Sequence, residues 1–407
     1  MNRRRLPSSQ EDQNGSPSPP ATAGRLRPGH SRLPHKDILA NDIGLVEEHP
    51  SFGTRASLQL ADDAPAVRSN SGSEIGDLDN GPMIKWGVIG VGDVVERKSG
   101  RAFQTVPGSA LVAVMRRDAE RAADFAHRFG VPRWYADADE LIADPEVGAV
   151  YVATPPDSHA DYTARAAAAG KPVYVEKPMA RTAAECEQMI SACARTGVPL
   201  FVAYYRRAMP RFATAAELVR TGRIGAVRSV VIRNQRPADD PSQSIPWRLD
   251  PQVSGGGYFV DLASHTLDWL DFVLGPATDV SGAAAGPDGP AAETQVTARL
   301  RFGDVLGVGL WDYDAAEACD LIELIGDAGT LRLSSFGTEP LRLTTEAGTT
   351  EIDGSYPPIV QEPMINNVMA SLRGETEPLS TGESALRTAR VIDTILAEHR
   401  RTHHIVL

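Results

Sequence analysis

The sequence predicts an α/β protein with a doubly wound parallel sheet in its N-terminal part and a mostly antiparallel sheet in its C-terminal part. Two observations lead to this prediction. From Met83 to about Tyr204, short apolar runs alternate with amphipathic, alanine-rich stretches, which is typical of parallel strands joined by helices. Beyond residue 205, strand-like runs follow one another across short turns that contain Gly, Asp or Ala, as in antiparallel sheets.

Five buried strands are predicted in the first region. They are IKWGVIG directly after Met83, LVAVM at 111–115, GAVYVA at 148–153, PVYVE at 172–176 and PLFVAY at 199–204. Helical stretches between them include one that ends at Gly130 and one that ends at Gly170. Glycine is the preferred residue just after a helix, so both positions are expected to be C-caps.

The second region, residues 205–407, predicts strands followed by helices. A strand at 227–233 leads through a loop to a long helical pattern at 255–275. Strand-like runs then extend from ETQVTARLRF to TTEID, and two helices are expected around 361–373 and 382–401.

Residues 1–82 are predicted to be a disordered extension. Phe52 is the only aromatic residue before Trp86, so this segment offers too little apolar surface to offset its chain entropy. The arginines at 3–5 suggest an export signal, but no apolar segment follows them. An alternative is that Met83 is the true start. We expect a cytoplasmic location.

Composition argues against several classes of partner. The 42% apolar and 23% charged fractions are ordinary for a soluble domain, and no run approaches the roughly 18 apolar residues of a membrane span. A net charge of -12 disfavours nucleic acid. The three cysteines contain no CxxC pair, and neither disulfides nor a metal site are expected.

A dinucleotide-binding turn is predicted after the first strand. Gly90 and Gly92 occupy the first two positions of a GxGxxG fingerprint, and Asp93 and Val94 follow them. Val95 stands at the third glycine position, so the match is incomplete. The strand–turn–helix context favours a nucleotide site over a chance glycine turn, because N–H groups at a helix N-terminus bind a pyrophosphate.

Two arginines at the end of the second strand favour NADP over NAD. NAD sites place a carboxylate there to accept from the ribose hydroxyls, but this chain has Arg116 and Arg117, and Asp118 already stands at the next helix cap. Guanidinium groups suit the 2′-phosphate of NADP. The alternative is that both arginines are solvated strand-end residues.

A second group of residues carries acid–base chemistry. Glu176 and Lys177 end a strand at the carboxyl edge of the sheet, where ligands bind in such folds. Asp261 and His265 have the i, i+4 spacing that shares one face of a helix, and Asp268 could orient the imidazole. Taken alone, the first segment is better explained as a solvated turn, and the second as a helix with a hydrogen-bonded structural histidine at a domain boundary.

In combination, the segments GVIGVGDV, ATPPDSHADY, KPVYVEKPMA and GGGYFVDLASHTLDWLDFVLG resemble the Gfo/Idh/MocA family, which contains glucose–fructose oxidoreductases and inositol dehydrogenases. The resemblance covers roughly residues 84–400. It implies a Rossmann NAD(P)-binding domain at 83–204 and a substrate-binding and oligomerisation domain at 205–407. The second domain is expected to contain a large, mostly antiparallel open sheet, which commonly forms the interface of a homo-oligomer.

The resemblance also implies roles for single residues. Lys177 matches the lysine that hydrogen-bonds the reacting oxygen, Asp261 the substrate-binding aspartate, and His265 the proton-transferring histidine. Residues expected to contact the cofactor, beyond the glycine turn and the arginines, are Lys177, Glu176, Thr154, Pro155 and His159.

Two further points concern prolines. Pro156 stands where many family members have Asn, which puts one polar contact in doubt. The bond between Lys177 and Pro178 is often cis in similar proteins.

These features predict an NAD(P)-dependent dehydrogenase or reductase that acts on the CH–OH group of a sugar, polyol or cyclitol. Aromatic and cationic side chains suit polyhydroxylated rings, so the candidate substrate residues besides Asp261 are Tyr204, Tyr205, Arg206, Arg207, Trp247 and Arg248. Packing at the domain junction would explain the same residues. Two other functions remain open: a non-catalytic dinucleotide sensor, and a glycosidase that uses NAD without net redox change.

Overall fold

The computed structural model describes residues 82–239 and 246–407. The extension predicted over residues 1–82 lies outside these residues, apart from Pro82. Within the described ranges, no helix is both long and apolar enough to cross a membrane.

A six-stranded parallel sheet forms the first half of the described chain, in the order β3-β2-β1-β4-β5-β6. The strands are β1 (Ile84–Ile89), β2 (Ser109–Met115), β3 (Arg133–Tyr135), β4 (Ala149–Val152), β5 (Val173–Val175) and β6 (Leu200–Val202). This confirms the predicted doubly wound sheet, although β3 was not predicted. The strand order reverses between β1 and β4, and in such sheets the crevice at this reversal binds ligands.

Five α-helices connect these strands. They are α1 (Ala102–Thr105), α2 (Ala119–Phe129), α3 (Ala138–Ala143), α4 (His159–Ala168) and α5 (Ala183–Thr196). The Asp118 carboxylate caps the start of α2 by accepting from the Arg121 N–H, and Gly130 ends it at a φ of 65°. Gly170, after α4, has a φ of 72°. Both glycines therefore adopt the left-handed conformation predicted for them.

An eight-stranded sheet forms the second half, in the order β14-β13-β12-β11-β7-β10-β9-β8. The strands are β7 (Val227–Gln235), β8 (Asp279–Ala285), β9 (Gln295–Phe302), β10 (Val305–Asp312), β11 (Cys319–Gly326), β12 (Gly329–Leu333), β13 (Leu341–Thr345) and β14 (Gly348–Ile352). Only β7 and β10 pair in parallel, so the mostly antiparallel prediction is confirmed.

The helices of this half are α6 (Pro210–Arg220), α7 (Pro251–Ser254), α8 (Ser264–Leu274), α9 (Glu362–Leu372) and α10 (Gly382–Thr402). One core cluster joins the two halves, since it contains Trp86 of β1 and Leu300 of β9. The Trp86 indole N–H also donates to the Met369 sulfur at 3.3 Å. Because the core is shared, the division of the chain near residue 204 stays a prediction.

The two faces of the second sheet differ in exposure. Alternate residues of β9 are buried, which places one face against the core. On the other face, β10 exposes Leu306, Val308 and Leu310 by 50%, 54% and 37%. Three exposed apolar side chains on adjacent outward positions of one strand are typical of an interaction surface.

Candidate active site

The turn after β1 requires glycine at its first position. Gly90 has a φ of 95°, and a Cβ there would lie 2.6 Å from Thr154 Cγ2 and 2.9 Å from the Ala153 carbonyl carbon. A side chain would therefore collide with the loop after β4. A Cβ at Gly92 would meet nothing within 4 Å. Val95, at the third fingerprint position, is fully buried, so an apolar side chain replaces the third glycine.

A cleft of about 630 Å³ lies beside this turn at the carboxyl ends of the parallel strands, within the usual size range of small-molecule sites. The predicted site residues that line it are Gly90, Gly92, Asp93, Val94, Arg116, Arg117, Thr154, Pro155, Glu176, Lys177, Tyr205, Trp247, Arg248 and Asp261. The predicted site residues outside its lining are His159, Tyr204, Arg206, Arg207 and His265.

The two arginines after β2 lie at the same end of the cleft as the glycine turn. Arg116 donates to the Val91 carbonyl oxygen at 3.0 Å, whereas Arg117 is exposed. Arg121, which the sequence did not single out, lines the cleft as well. Its N–H bonds Asp118 at the start of α2, so the helix cap brings a third guanidinium to this end.

The cleft also holds a three-residue ion network. The Lys177 ammonium lies 2.7 Å from Asp261 Oδ1 and 3.0 Å from the Asp261 carbonyl oxygen. Arg248 Nε lies 3.1 Å from the other carboxylate oxygen, Oδ2. All three side chains are at most 15% exposed, so the two cations offset the cost of burying this carboxylate. The Lys177–Pro178 bond is cis, as the family resemblance implies.

Asp261 and His265 do not share one α-helix. Asp261 lies in a π-helical turn, Phe259–Ala263, and α8 begins only at Ser264. The π turn, with its i→i+5 bonding, departs from the α-helical spacing that the sequence suggested, and the shared face of the two residues stays a prediction. Single π turns of this kind are frequent at functional sites.

Aromatic rings surround His265. The imidazole is fully buried, and its ring centroid lies 5.0 Å from that of Tyr205 and 6.2 Å from those of Tyr204 and Phe336. Of the two tyrosines only Tyr205 lines the cleft. His265 is therefore adjacent to a cleft residue without being part of the lining.

Asp268 pairs with Arg207. Its two carboxylate oxygens accept from Arg207 Nε and Nη2, each at 2.7 Å. Burial raises the pKa of Asp268 to about 6, although Arg207 acts in the opposite direction. A cation 61 residues away in sequence therefore neutralises this carboxylate, and local spacing cannot reveal such a partner.

His159 joins two loops from a buried position. Its Nε2 lies 2.7 Å from the Thr154 carbonyl oxygen, and its Nδ1 lies 3.1 Å from that of Pro178. Burial lowers the pKa of His159, while the carbonyl contacts favour the charged form and oppose this shift. The histidine therefore ties the loop after β4 to the cis-proline loop.

Tyr204 and Arg206 are buried away from the cleft. Each is 2% exposed, and Arg206 donates to the Ser335 carbonyl oxygen at 2.9 Å. Its guanidinium also lies 4.6 Å from the centre of the Phe336 ring. Both residues therefore fit the alternative of packing at the domain junction better than contact with a substrate.

Two cleft residues had no strong signal in the sequence. Lys98, only 7% exposed, lies in the π-helical turn Val95–Ser99 that follows the fingerprint. The only sequence signal for Lys98 is its position in the first helical turn after the glycine fingerprint. Gln361, fully buried at the start of α9, comes from the far end of the chain and carries no local motif.

Glu176 lies beneath these residues and accepts three hydrogen bonds. The Tyr151 hydroxyl and the Gln361 amide donate to Oε1 at 2.5 and 2.6 Å. The Lys177 backbone N–H donates to Oε2 at 3.1 Å. The carboxylate beside Lys177 is therefore fixed by donors from three parts of the chain.

Comparison with known proteins agrees with this architecture. Residues 84–204 match the model of an oxidoreductase family with an NAD-binding Rossmann fold, and residues 212–332 match a GFO/IDH/MocA C-terminal domain. Oxidoreductase P35 of Formosa agariphila is 36% identical over 75% of this chain and 96% of its own. A 1,5-anhydro-D-fructose reductase of Ensifer adhaerens is 28% identical over 75% and 92%.

A solved structure extends the likeness to three dimensions. The aldose-aldose oxidoreductase of Caulobacter crescentus, complexed with glycerol, has a TM-score of 0.69 and 26% identity, covering 79% of this chain and 97% of its own. The chain therefore belongs to the Gfo/Idh/MocA family of NAD(P)-dependent oxidoreductases.

Proposed function

We propose that this protein transfers a hydride between NADP and a secondary hydroxyl or carbonyl of a sugar, polyol or cyclitol-like substrate. The observation that carries the proposal is the Lys177–Asp261 pair, 2.7 Å apart, in a cleft that also contains the glycine turn. One ammonium and one carboxylate, held together at low exposure, suit a substrate with adjacent hydroxyl groups.

The cleft suits a dinucleotide at its glycine end. At Gly90 a Cβ would collide with the Thr154 loop, and at Gly92 the backbone is open, so a pyrophosphate can approach N–H groups there. Thr154 and Pro155 line the cleft beyond this turn. When bound, the nicotinamide supplies or accepts the hydride.

Lys177 and Asp261 would contact different oxygen atoms of the substrate. The Lys177 ammonium donates to the reacting oxygen and stabilises its developing negative charge. Asp261 accepts from a neighbouring hydroxyl and so selects which carbon is presented. Arg248 keeps the Asp261 carboxylate oriented, and its guanidinium lies 5.0 Å from the Trp247 ring centre, which supplies an apolar face for a sugar ring.

His265 would take the proton from the substrate hydroxyl during oxidation and return it during reduction. The imidazole is buried beside Tyr205, and Tyr205 lines the cleft. The proton path therefore passes this ring, and the substrate complex requires Tyr205 to shift or to relay the proton.

The arginines support the preference for NADP. Arg116, Arg117 and Arg121 all line the glycine end of the cleft. The carboxylate in this region, Asp118, already caps α2 through the Arg121 N–H, which lowers its capacity to accept from ribose hydroxyls. A 2′-phosphate would gain bidentate partners.

We also propose a cytoplasmic homo-oligomer. The exposed strip of Leu306, Val308 and Leu310 on the outer face of the second sheet favours contact with a second copy. Three free cysteines suit a reducing compartment.

The test is a turnover assay with purified protein, NADP or NAD, and a panel of sugars, polyols and cyclitols, followed by nicotinamide absorbance. We expect a change in absorbance with NADP and at least one polyhydroxylated substrate. Tight dinucleotide binding with no turnover on the whole panel would instead indicate a sensor. Release of an aglycone from glycosides, without net absorbance change, would indicate a glycosidase.

A further inference from the structure

We propose that Gln361 is a positioning residue of the hydride-transfer reaction, acting on Lys177 through the Glu176 carboxylate. The inference rests on the proposed function for its kinetic consequences. Gln361 is fully buried, borders the cleft and lies 185 residues from Glu176 in sequence. Its amide is the contact through which the start of α9 reaches the end of β5.

The orientation of the Gln361 amide is determined by its partners. The Tyr174 hydroxyl donates to Gln361 Oε1 at 3.0 Å, so the amide NH₂ faces Glu176 Oε1 at 2.6 Å. The Tyr174 and Tyr151 rings stack with centroids 5.0 Å apart, and both residues are fully buried. Burial, with the nearby Glu176 charge, raises the pKa of both phenols well above the usual value, so both remain donors.

Glu176 connects the Gln361 amide to Lys177 through hydrogen bonds. One of its carboxylate oxygens accepts from Tyr151 and Gln361, and the other accepts from the Lys177 backbone N–H at 3.1 Å. The backbone N–H of Lys177 is therefore hydrogen-bonded to a carboxylate that cannot rotate freely, which fixes the backbone from which the Lys177 side chain extends. Loss of one donor would leave a buried carboxylate undersatisfied, and the strand end would relax.

The same residue holds the glycine end of the cleft. The Gln361 backbone N–H donates to the Lys98 carbonyl oxygen at 3.1 Å, in the turn that follows the fingerprint. Gln361 thus contacts the backbone on one side of the cleft and the Glu176–Lys177 corner on the other. A displacement of about 1 Å at the reacting group is enough to cost about 100-fold in rate.

The test compares Gln361→Met, which keeps side-chain length and removes the amide, with Tyr174→Phe, which removes only the hydroxyl that orients the amide. Gln104→Met is the control, because Gln104 is exposed and donates to the Phe129 carbonyl oxygen outside the cleft. We expect kcat to fall about 10- to 100-fold in Gln361→Met, with a smaller fall in Tyr174→Phe and none in the control. The KM values for substrate and cofactor should change less than about 3-fold, since Lys177 positioning affects the transition state more than ground-state binding.

A second readout does not depend on turnover. The rate at which Lys177 is acylated should rise several-fold in Gln361→Met as the Lys177–Asp261 pair loosens. Peptide mass spectrometry would measure this rate relative to that of Lys85, whose side chain is 43% exposed and pairs with Glu146. Unchanged kcat and unchanged Lys177 acylation would overturn the proposal, and a rise in KM with unchanged kcat would instead show that Gln361 contacts a ligand directly. If the wild type turns over no substrate, the proposed function fails while the acylation rates still decide the positioning role.

Discussion

The Lys177 ammonium and the Asp261 carboxylate form a 2.7 Å contact between the end of β5 and the π-helical turn before α8. The two residues are 84 apart in sequence and come from opposite sides of the cleft. Their contact joins the end of a strand of the Rossmann sheet to the region that matches the family's C-terminal domain model. Residues from both regions therefore line the cleft together.

Replacement of Lys177 by Met should lower kcat/KM about 100- to 1,000-fold, because the developing charge on the substrate oxygen loses its donor. Steady-state kinetics with the best substrate would measure this. Lys171→Met is the matched control, since the Lys171 ammonium donates to the Asp144 carbonyl oxygen outside the cleft lining. A Lys177 variant as active as this control would exclude the proposed role.

Replacement of His265 by Ala should lower kcat about 100-fold or more, because the proton transfer loses its acid–base group. NADP affinity should stay close to that of the wild type, since His265 lies outside the cleft lining. Turnover and fluorescence titration with NADP would separate the two effects. His127→Gln, an exposed substitution in α2, serves as the control. Turnover equal to the control would remove His265 from the mechanism.

The sequence pattern predicted most strands of the two sheets but only part of the candidate active site. Apolar runs in the first region predict strands correctly because parallel strands are buried on both faces, as β4 is throughout. The three-residue strand β3 was missed, since its pattern is half-exposed and too short for a periodic signal. The glycine turn and Lys177 were located from local motifs, because strand ends dictate their position.

Local spacing failed where distant residues determine the environment. The i, i+4 spacing of Asp261 and His265 did not reveal the π turn in which Asp261 lies. Asp268 was assigned to His265, but Arg207 occupies both of its carboxylate oxygens. Gln361 reaches Glu176 across 185 residues, a contact that no pattern in a single sequence encodes.

Replacement of Arg117 by Ser should weaken NADP binding about 10-fold or more and leave NAD binding nearly unchanged, because a 2′-phosphate loses a charged donor. Titrations with both cofactors would measure the ratio of their dissociation constants. Arg220→Ser is the control, since Arg220 is exposed and pairs with Glu217 far from the cleft lining. Tighter binding of NAD than of NADP by the wild type would show that the proposed preference is wrong.

The buried His159 should make the fold less stable in mild acid. Because burial lowers its pKa, the unfolded chain binds a proton at higher pH than the folded chain does. Its contribution to the free energy of unfolding is present above about pH 6.5 and is lost as the pH falls below that value, by up to about 1.4 kcal/mol per pH unit. The pKa of Asp268 is raised to about 6, so its contribution to the free energy of unfolding grows as the pH falls. Because the wild type and a His159 variant both contain Asp268, its effect cancels when the two are compared.

The measurement for His159 is the melting temperature between pH 7.5 and pH 5.5. His159→Gln should lose less stability over this interval than the wild type, whatever its stability at pH 7.5. His127→Gln, with an exposed side chain, should follow the wild-type pH dependence. Parallel curves for the wild type and His159→Gln would contradict the prediction.

The exposed strip on β10 should determine self-association. In Val308→Asp, a charge would replace a side chain that is 54% exposed at the centre of Leu306, Val308 and Leu310, and its desolvation would disfavour burial against a second copy. Light scattering after size exclusion should then report a lower mass than for the wild type at equal concentration. Val406→Asp is the matched control, because Val406 is 79% exposed near the C-terminus and is not part of a strand. A wild-type mass equal to one chain, or an unchanged mass in Val308→Asp, would rule out this face as the interface.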